Sequence, residues 1–113
     1  MAENSAMKKN DAYPINKAHS HEEIKTRLIP VFDQYKVKRA VLFGSFANGL
    51  ADDKSDADIL VDSGLHGLRF VSLYEDVRRA LRIAVDLFDT THIEANSKIE
   101  REILETGVVI YEK

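Results

Sequence analysis

Apolar and polar positions along this chain recur with two different periods. Ile24, Leu28, Phe32 and Tyr35 are spaced like one face of a helix. Ser20-His21-Glu22-Glu23 precedes them in the Ser-x-x-Glu form of a capping box, which predicts a helix from about Ser20 to Tyr35. Pro30 falls inside it and is expected to kink or divide it. After Lys36-Val37-Lys38-Arg39, the apolar run Ala40 to Phe43 reads as a strand buried towards its end. Gly44-Ser45 then turns the chain, and Phe46 to Asn48 fit a short helix with Ser45 at its start. Asp56 to Asp62 is a second strand with apolar residues at every other position. Asp62 to Gly67, which contains His66 between two glycines, is a link. Leu68 to Arg82 carries Leu68, Val71, Leu73, Val77, Ala80 and Leu81, the pattern of an amphipathic helix packed on a sheet. Ile83 to Phe88 is a third strand. Ser97 starts a last helix, with Ile99, Ile103 and Leu104 on its apolar side and Gly107 as its stop. Val108 to Tyr111 closes the chain as an edge strand. This alternation of helices and strands predicts an α/β sandwich.

The first 18 residues are polar and lack periodicity, so 1–18 is expected to be a mobile arm and 19–113 a single domain. Met1 to Ala6 reads as an appended leader, with Met7 as the natural start. At 113 residues, 44% apolar and 31% charged, the chain has the size and composition of one globular domain. Its net charge of −3 gives no broad electrostatic footprint for DNA or RNA. There are no cysteines, which excludes disulfides, thiolate metal sites and cysteine nucleophiles. No apolar run approaches a membrane span of roughly 20 residues, and no signal-peptide pattern is present. A cytoplasmic location is the default expectation.

The chemistry concentrates in Phe43 to Asp62, FGSFANGLADDKSDADILVD. Gly44 has no Cβ, so its backbone can come close to a phosphate oxygen, and the Ser45 hydroxyl and nearby amides can bond the same group. Asp56 and Asp58 lie two residues apart on an extended segment and share one face, while Ala57, Ile59 and Val61 face the core. Paired carboxylates repel unless a cation lies between them, and magnesium takes one or two carboxylates plus substrate phosphates. Metal-assisted phosphoryl or nucleotidyl transfer follows from that combination. A P-loop does not fit, because Leu50-Ala51 stand where Lys-Ser/Thr is required. A calcium loop does not fit around Asp52 to Asp58, because its glycine and closing glutamate are missing. Asp86 interrupts the third strand with a charge, and an acid there is costly unless paired or metal-bound. It is the natural third carboxylate. Asp89, just past the strand and pointing the other way, is the second choice. His19 and His21 resemble a ligand pair but lack a third partner, and a solvated cap is the simpler reading. Arg78, Arg79 and Arg82 cluster at a helix C-terminus, where cations complement the dipole or would grip a partner or polyphosphate.

The string GSFANGLADDKSDADILV resembles the G-S-x-x-x-G-x-x-x-x-x-S-D-x-D-x-x-V signature of the minimal nucleotidyltransferases, within the DNA polymerase beta superfamily. All six fixed polar or glycine positions are present: Gly44, Ser45, Gly49, Ser55, Asp56 and Asp58. Val85-Asp86-Leu87 is similar to the strand that supplies the family's third acid. The resemblance spans about Ser20 to Tyr111 and implies a mixed β-sheet flanked by helices, like the polymerase beta palm. It implies ATP as substrate, Gly44, Ser45, Asn48, Gly49 and Ser55 as nucleotide-binding residues, and Asp56, Asp58 and Asp86 as catalytic metal ligands. Two magnesium ions would lie roughly 3.5–4 Å apart. Asn48 stands where family members often have arginine; it can donate a hydrogen bond but supplies no charge.

Single-domain members of this family typically pair with a small helical HEPN protein, as antitoxin to its toxin, and can transfer AMP to a tyrosine of that toxin. The same role is expected here. A non-catalytic binding module that neutralises its partner by contact alone is the first alternative. Adenylylation of an aminoglycoside-like hydroxyl is the second, although such enzymes usually carry further substrate-binding structure. The final edge strand and the arginine cluster would also allow a homo-oligomer.

Overall fold

The computed structural model describes residues 18, 20–49, 51 and 55–113. The predicted arm up to Lys17, and the expectations for His19 and the loop acids Asp52 and Asp53, lie outside the described residues. Ala18 is buried, and its amide donates to the Leu81 carbonyl at 3.0 Å. The packed part of the chain thus begins at least one residue before the predicted boundary.

Helix α1 runs from His21 to Tyr35 and is capped as predicted, with the Ser20 hydroxyl accepting from the Glu23 amide at 3.1 Å. Ile24, Leu28 and Phe32 are fully buried. Pro30 does not divide the helix. It lies on the exposed side, and one missing hydrogen bond there is outweighed by the buried stripe opposite. Strand β1 (Arg39–Phe43) is followed by a 3₁₀ turn, Gly44–Phe46, two residues earlier than the predicted Phe46 to Asn48, so Phe43 rather than Ser45 stands at its N-cap. Strand β2 (Ala57–Asp62), helix α2 (Gly67–Leu81), strand β3 (Val85–Asp89), a 3₁₀ turn (Thr90–His92), helix α3 (Lys98–Thr106) and strand β4 (Val108–Glu112) complete the order.

The four strands form one mixed sheet in the order β3-β2-β1-β4. β1 is antiparallel to both β2 and β4, and β2 is parallel to β3. β4 is an edge strand, as its sequence predicts. Ala40, Leu42, Ala57, Ile59, Val61 and Val85 enter the main core with the buried faces of α1 and α2. The alternation in β2 is strict: Ala57, Ile59 and Val61 are buried, whereas Asp58, Leu60 and Asp62 are half-buried on the opposite face. That second face holds the candidate site.

In α2 the buried residues are Leu73, Val77 and Leu81. Leu68 and Val71, predicted to share that face, are exposed. At about 100° per residue, Leu68 falls roughly opposite the centre of the buried stripe and Val71 roughly 120° from it. α3 buries no residue fully, and Leu104 is 79% exposed. No described helix is long and apolar enough to cross a membrane.

Candidate active site

Three strands place a row of side chains across the second face. Phe43 of β1 is opposite Asp58 of β2, and Asp58 is opposite Asp86 of β3. Directly paired residues share a face and stand close together. The two carboxylates therefore meet on adjacent parallel strands, with the Phe43 and Phe88 rings packed beside them at a centroid distance of 6.0 Å. Asp56 precedes β2 and is exposed, as is Asp86.

The Asp58 carboxyl is pushed up from 3.8 to about 6. Burial is the largest cause, followed by the charges of Asp86 and Glu102, a hydrogen bond shared with Asp86, and the charge of Asp56. These are the surroundings in which a cation would relieve both desolvation and repulsion. Among the described residues, no three acidic or histidine side chains converge closely enough to hold a metal unaided. The facing pair Asp58 and Asp86 still suits magnesium, which completes its shell with phosphate oxygens and water.

Gly44 ends β1 with φ +78°, a conformation that disfavours any side chain. A Cβ there would lie 2.5 Å from Asp58 Oδ2 and 3.6 Å from Glu102 Oε2. The glycine is thus required for the close approach of the Asp58 carboxylate, a reason its sequence context does not reveal. Its amide, expected to be open to phosphate, donates to Thr106 Oγ1 at 2.8 Å. The Thr106 hydroxyl in turn donates to the Glu102 carbonyl at 2.8 Å, which ties α3 to the turn. Ser45 is half-buried in the turn, and among the described residues its hydroxyl has no hydrogen-bond partner. Asn48 and Gly49 are exposed beyond it; the Asn48 amide donates to the Gly44 carbonyl, and Gly49 turns the chain with φ +81°. Ser55 stands beside Asp56 in the wall of a neighbouring cleft.

Two further positions, His21 and Asp89, differ from expectation. His21, expected to be a solvated cap, bonds through its ring Nε2 to the Phe46 carbonyl and joins α1 to the 3₁₀ turn. Asp89 ends β3 rather than following it and is buried. It accepts from the amide and hydroxyl of Ser63 at 3.0 and 2.6 Å, and from the amide and hydroxyl of Thr91 at 3.1 and 2.8 Å. Burial alone would raise its pKa, but these four bonds together hold the carboxyl below its usual 3.8. Asp89 is a structural anchor, fully engaged away from Asp58. Glu102 and Thr106, which the sequence reading missed, lie four residues apart on one face of α3. Only the docking of that helix reveals them.

Residues 26–113 match the family described as "Polymerase beta, Nucleotidyltransferase". The chain belongs to this nucleotidyltransferase family. It is 34% identical over 82 residues to "Putative protein adenylyltransferase MJ1379" of Methanocaldococcus jannaschii, covering 69% of this chain and 81% of the relative. A second relative from that organism, "Putative protein adenylyltransferase MJ0435", is 48% identical over 42 residues, a stretch spanning 37% of this chain and 45% of the relative's length. Among solved structures, a toxin–antitoxin complex with AMP-PNP aligns with TM-score 0.64 and 23% identity, over 79% of this chain and 73% of that one. A complex of a tri-AMPylated HEPN toxin of Shewanella oneidensis with its MNT antitoxin aligns with TM-score 0.59 and 20% identity, over 82% and 73%. At these identities the solved structures establish the shared fold. The mixed sheet is that of the polymerase beta-like nucleotidyltransferases, as the signature implied.

Proposed function

We propose that this chain is a magnesium-dependent adenylyltransferase that moves AMP from ATP to a hydroxyl, and that its acceptor is a tyrosine of a HEPN toxin partner. The observation that carries the reading is the pairing of Asp58 with Asp86 on adjacent parallel strands beside the Gly44-Ser45 turn. The protein adenylyltransferase names of the archaeal relatives and the HEPN toxin in the S. oneidensis complex support the donor and the acceptor.

Asp56, Asp58 and Asp86 would hold magnesium, which stabilises charge on the triphosphate and lowers the pKa of the acceptor hydroxyl. Ser45 would offer its hydroxyl to the terminal phosphates, and Gly49, with φ +81°, would let the backbone turn beside them. Asn48 and Ser55 would add hydrogen bonds to the nucleotide. The acceptor oxygen forms a bond to the α-phosphorus as the bond to the bridging oxygen of the leaving pyrophosphate breaks. Asp86 is exposed and faces Asp58, and in this reading it would receive the acceptor proton. The test is label transfer from α-labelled ATP to a purified HEPN toxin that binds this chain. Labelling that needs magnesium and disappears in Asp58→Ala is expected; an unlabelled partner with active wild-type protein would sink the role.

A contact-only antitoxin is the second reading. It is favoured by the Gly44 amide, which is already bonded to Thr106, and by Asn48 in place of a cation. Toxin neutralisation that persists in Asp56→Ala would select it.

A further inference from the structure

A cleft of about 760 Å³ adjoins the carboxylates, within the roughly 300–1,000 Å³ typical of ligand sites. Asp56 and Asp86 line it together with Tyr74, Arg78, Arg79 and Arg82. The last turn of α2 and the residue that follows it therefore bring three guanidinium groups to the same cleft as two of the acids. Arg78 and Arg79 pair within the helix with Glu75 and Asp76 at 2.7 and 3.4 Å. Such exposed pairs are worth little and exchange readily for a ligand carboxylate. Arg82 has no ion pair among the described residues, and its left-handed backbone, φ 61°, carries it beyond the helix end. The negative helix end nearby is already offset, because the Arg27 guanidinium donates to the Ala80 and Leu81 carbonyls. The arginines thus remain available to an incoming anion.

The strand order gives the cleft a direction. Gly44-Ser45 follows β1, on one side of Asp58; Asp86 of β3 lies on the other side and lines the cleft, which runs from Ser55 and Asp56, ahead of β2, to the end of α2. If the terminal phosphates lie at Gly44-Ser45, pyrophosphate leaves on the β1 side, and an in-line acceptor must arrive from the β3 side. We propose that the cleft is the acceptor entrance, and that Arg78, Arg79 and Arg82 select a protein segment in which acidic side chains flank the attacking hydroxyl. The proposal rests on the transfer reading of Asp58 and Asp86. The planar fork of arginine matches a carboxylate, and a local basic cluster on a chain of net charge −3 distinguishes acidic segments from basic ones.

The test uses the full chain with magnesium and AMP-PNP, and two fluorescent heptapeptides with a central tyrosine flanked by three glutamates or three lysines on each side. The glutamate peptide should bind at least about tenfold more tightly, with the difference shrinking as salt rises. Arg82→Glu should abolish the preference, and the milder Arg78→Gln/Arg79→Gln double variant should reduce it, while AMP-PNP affinity stays at the wild-type level. Equal binding of the two peptides, or a preference that survives in both variants, overturns the proposal. Loss of AMP-PNP binding in the arginine variants also overturns it, because the cleft would then hold the nucleotide. If wild type binds the glutamate peptide through these arginines but never binds AMP-PNP, the transfer reading falls while the selection of acidic segments stands.

Discussion

Asp58 is half-buried, opposite Asp86 and within reach of the charges of Glu102 and Asp56, and its carboxyl is raised to about 6. A raised acid pKa means that the folded chain binds the proton more tightly than the unfolded one. Stability is therefore lost as pH rises from about 4 to about 6, and the penalty is fully present above that. Because the group is partly exposed, solvent screening reduces the penalty to on the order of 1 kcal/mol. Thermal melts of Asp58→Asn should lose this decline relative to wild type. Magnesium should raise the wild-type melting temperature at pH 7.5 more than at pH 5, and should have little effect on the variant. Parallel pH profiles for the two proteins would remove the repulsion from the account. Gly44 can be tested separately. With φ +78° and the Asp58 carboxylate 2.5 Å from any added Cβ, Gly44→Ala should cost about 1–3 kcal/mol in denaturant unfolding. A neutral substitution would show that the turn and the carboxylate are not in contact.

At the scale of elements, propensity and packing disagree in α1. Proline costs about 3 kcal/mol relative to alanine inside a helix. Burial of Ile24, Leu28 and Phe32 contributes roughly 1.5–3 kcal/mol each, which is why the helix continues through Pro30. Pro30→Ala should then stabilise the protein by about 1–3 kcal/mol and raise its melting temperature, with the site unchanged. A drop in melting temperature would mean that the turn at Pro30 is shaped by something other than the missing amide. The helix and strand blocks were legible because each carries its period in consecutive residues: Ser20 and Glu23 for the start of α1, Ala57-Ile59-Val61 for the inner face of β2. The outward rotation of Leu68 and Val71 was not legible, because α2 has apolar residues on more than one face and only the sheet decides which is buried. Nor was the docking of α3, which buries no residue fully and is tied to the turn by one hydroxyl, Thr106.

At the scale of the molecule, the candidate site is a product of topology. Parallel pairing of β2 with β3 brings together Asp58 and Asp86, which are 28 positions apart in the chain. Their residue types and alternation were readable from the sequence, and the family signature named them. Their register, the approach of Glu102 and the engagement of Asp89 with Ser63 and Thr91 depend on contacts between distant segments, which no local pattern encodes. The same topology puts the Gly44-Ser45 turn and Asp86 on opposite sides of Asp58, and the proposed nucleotide and acceptor would occupy those two sides. We propose that this pair serves a magnesium nucleotide. It is tested most directly by isothermal titration with AMP-PNP, with and without magnesium, on wild type and Asp58→Ala. Wild type should bind only when magnesium is present, and the variant should not bind at all. Equal binding by both proteins, or binding indifferent to magnesium, would contradict it.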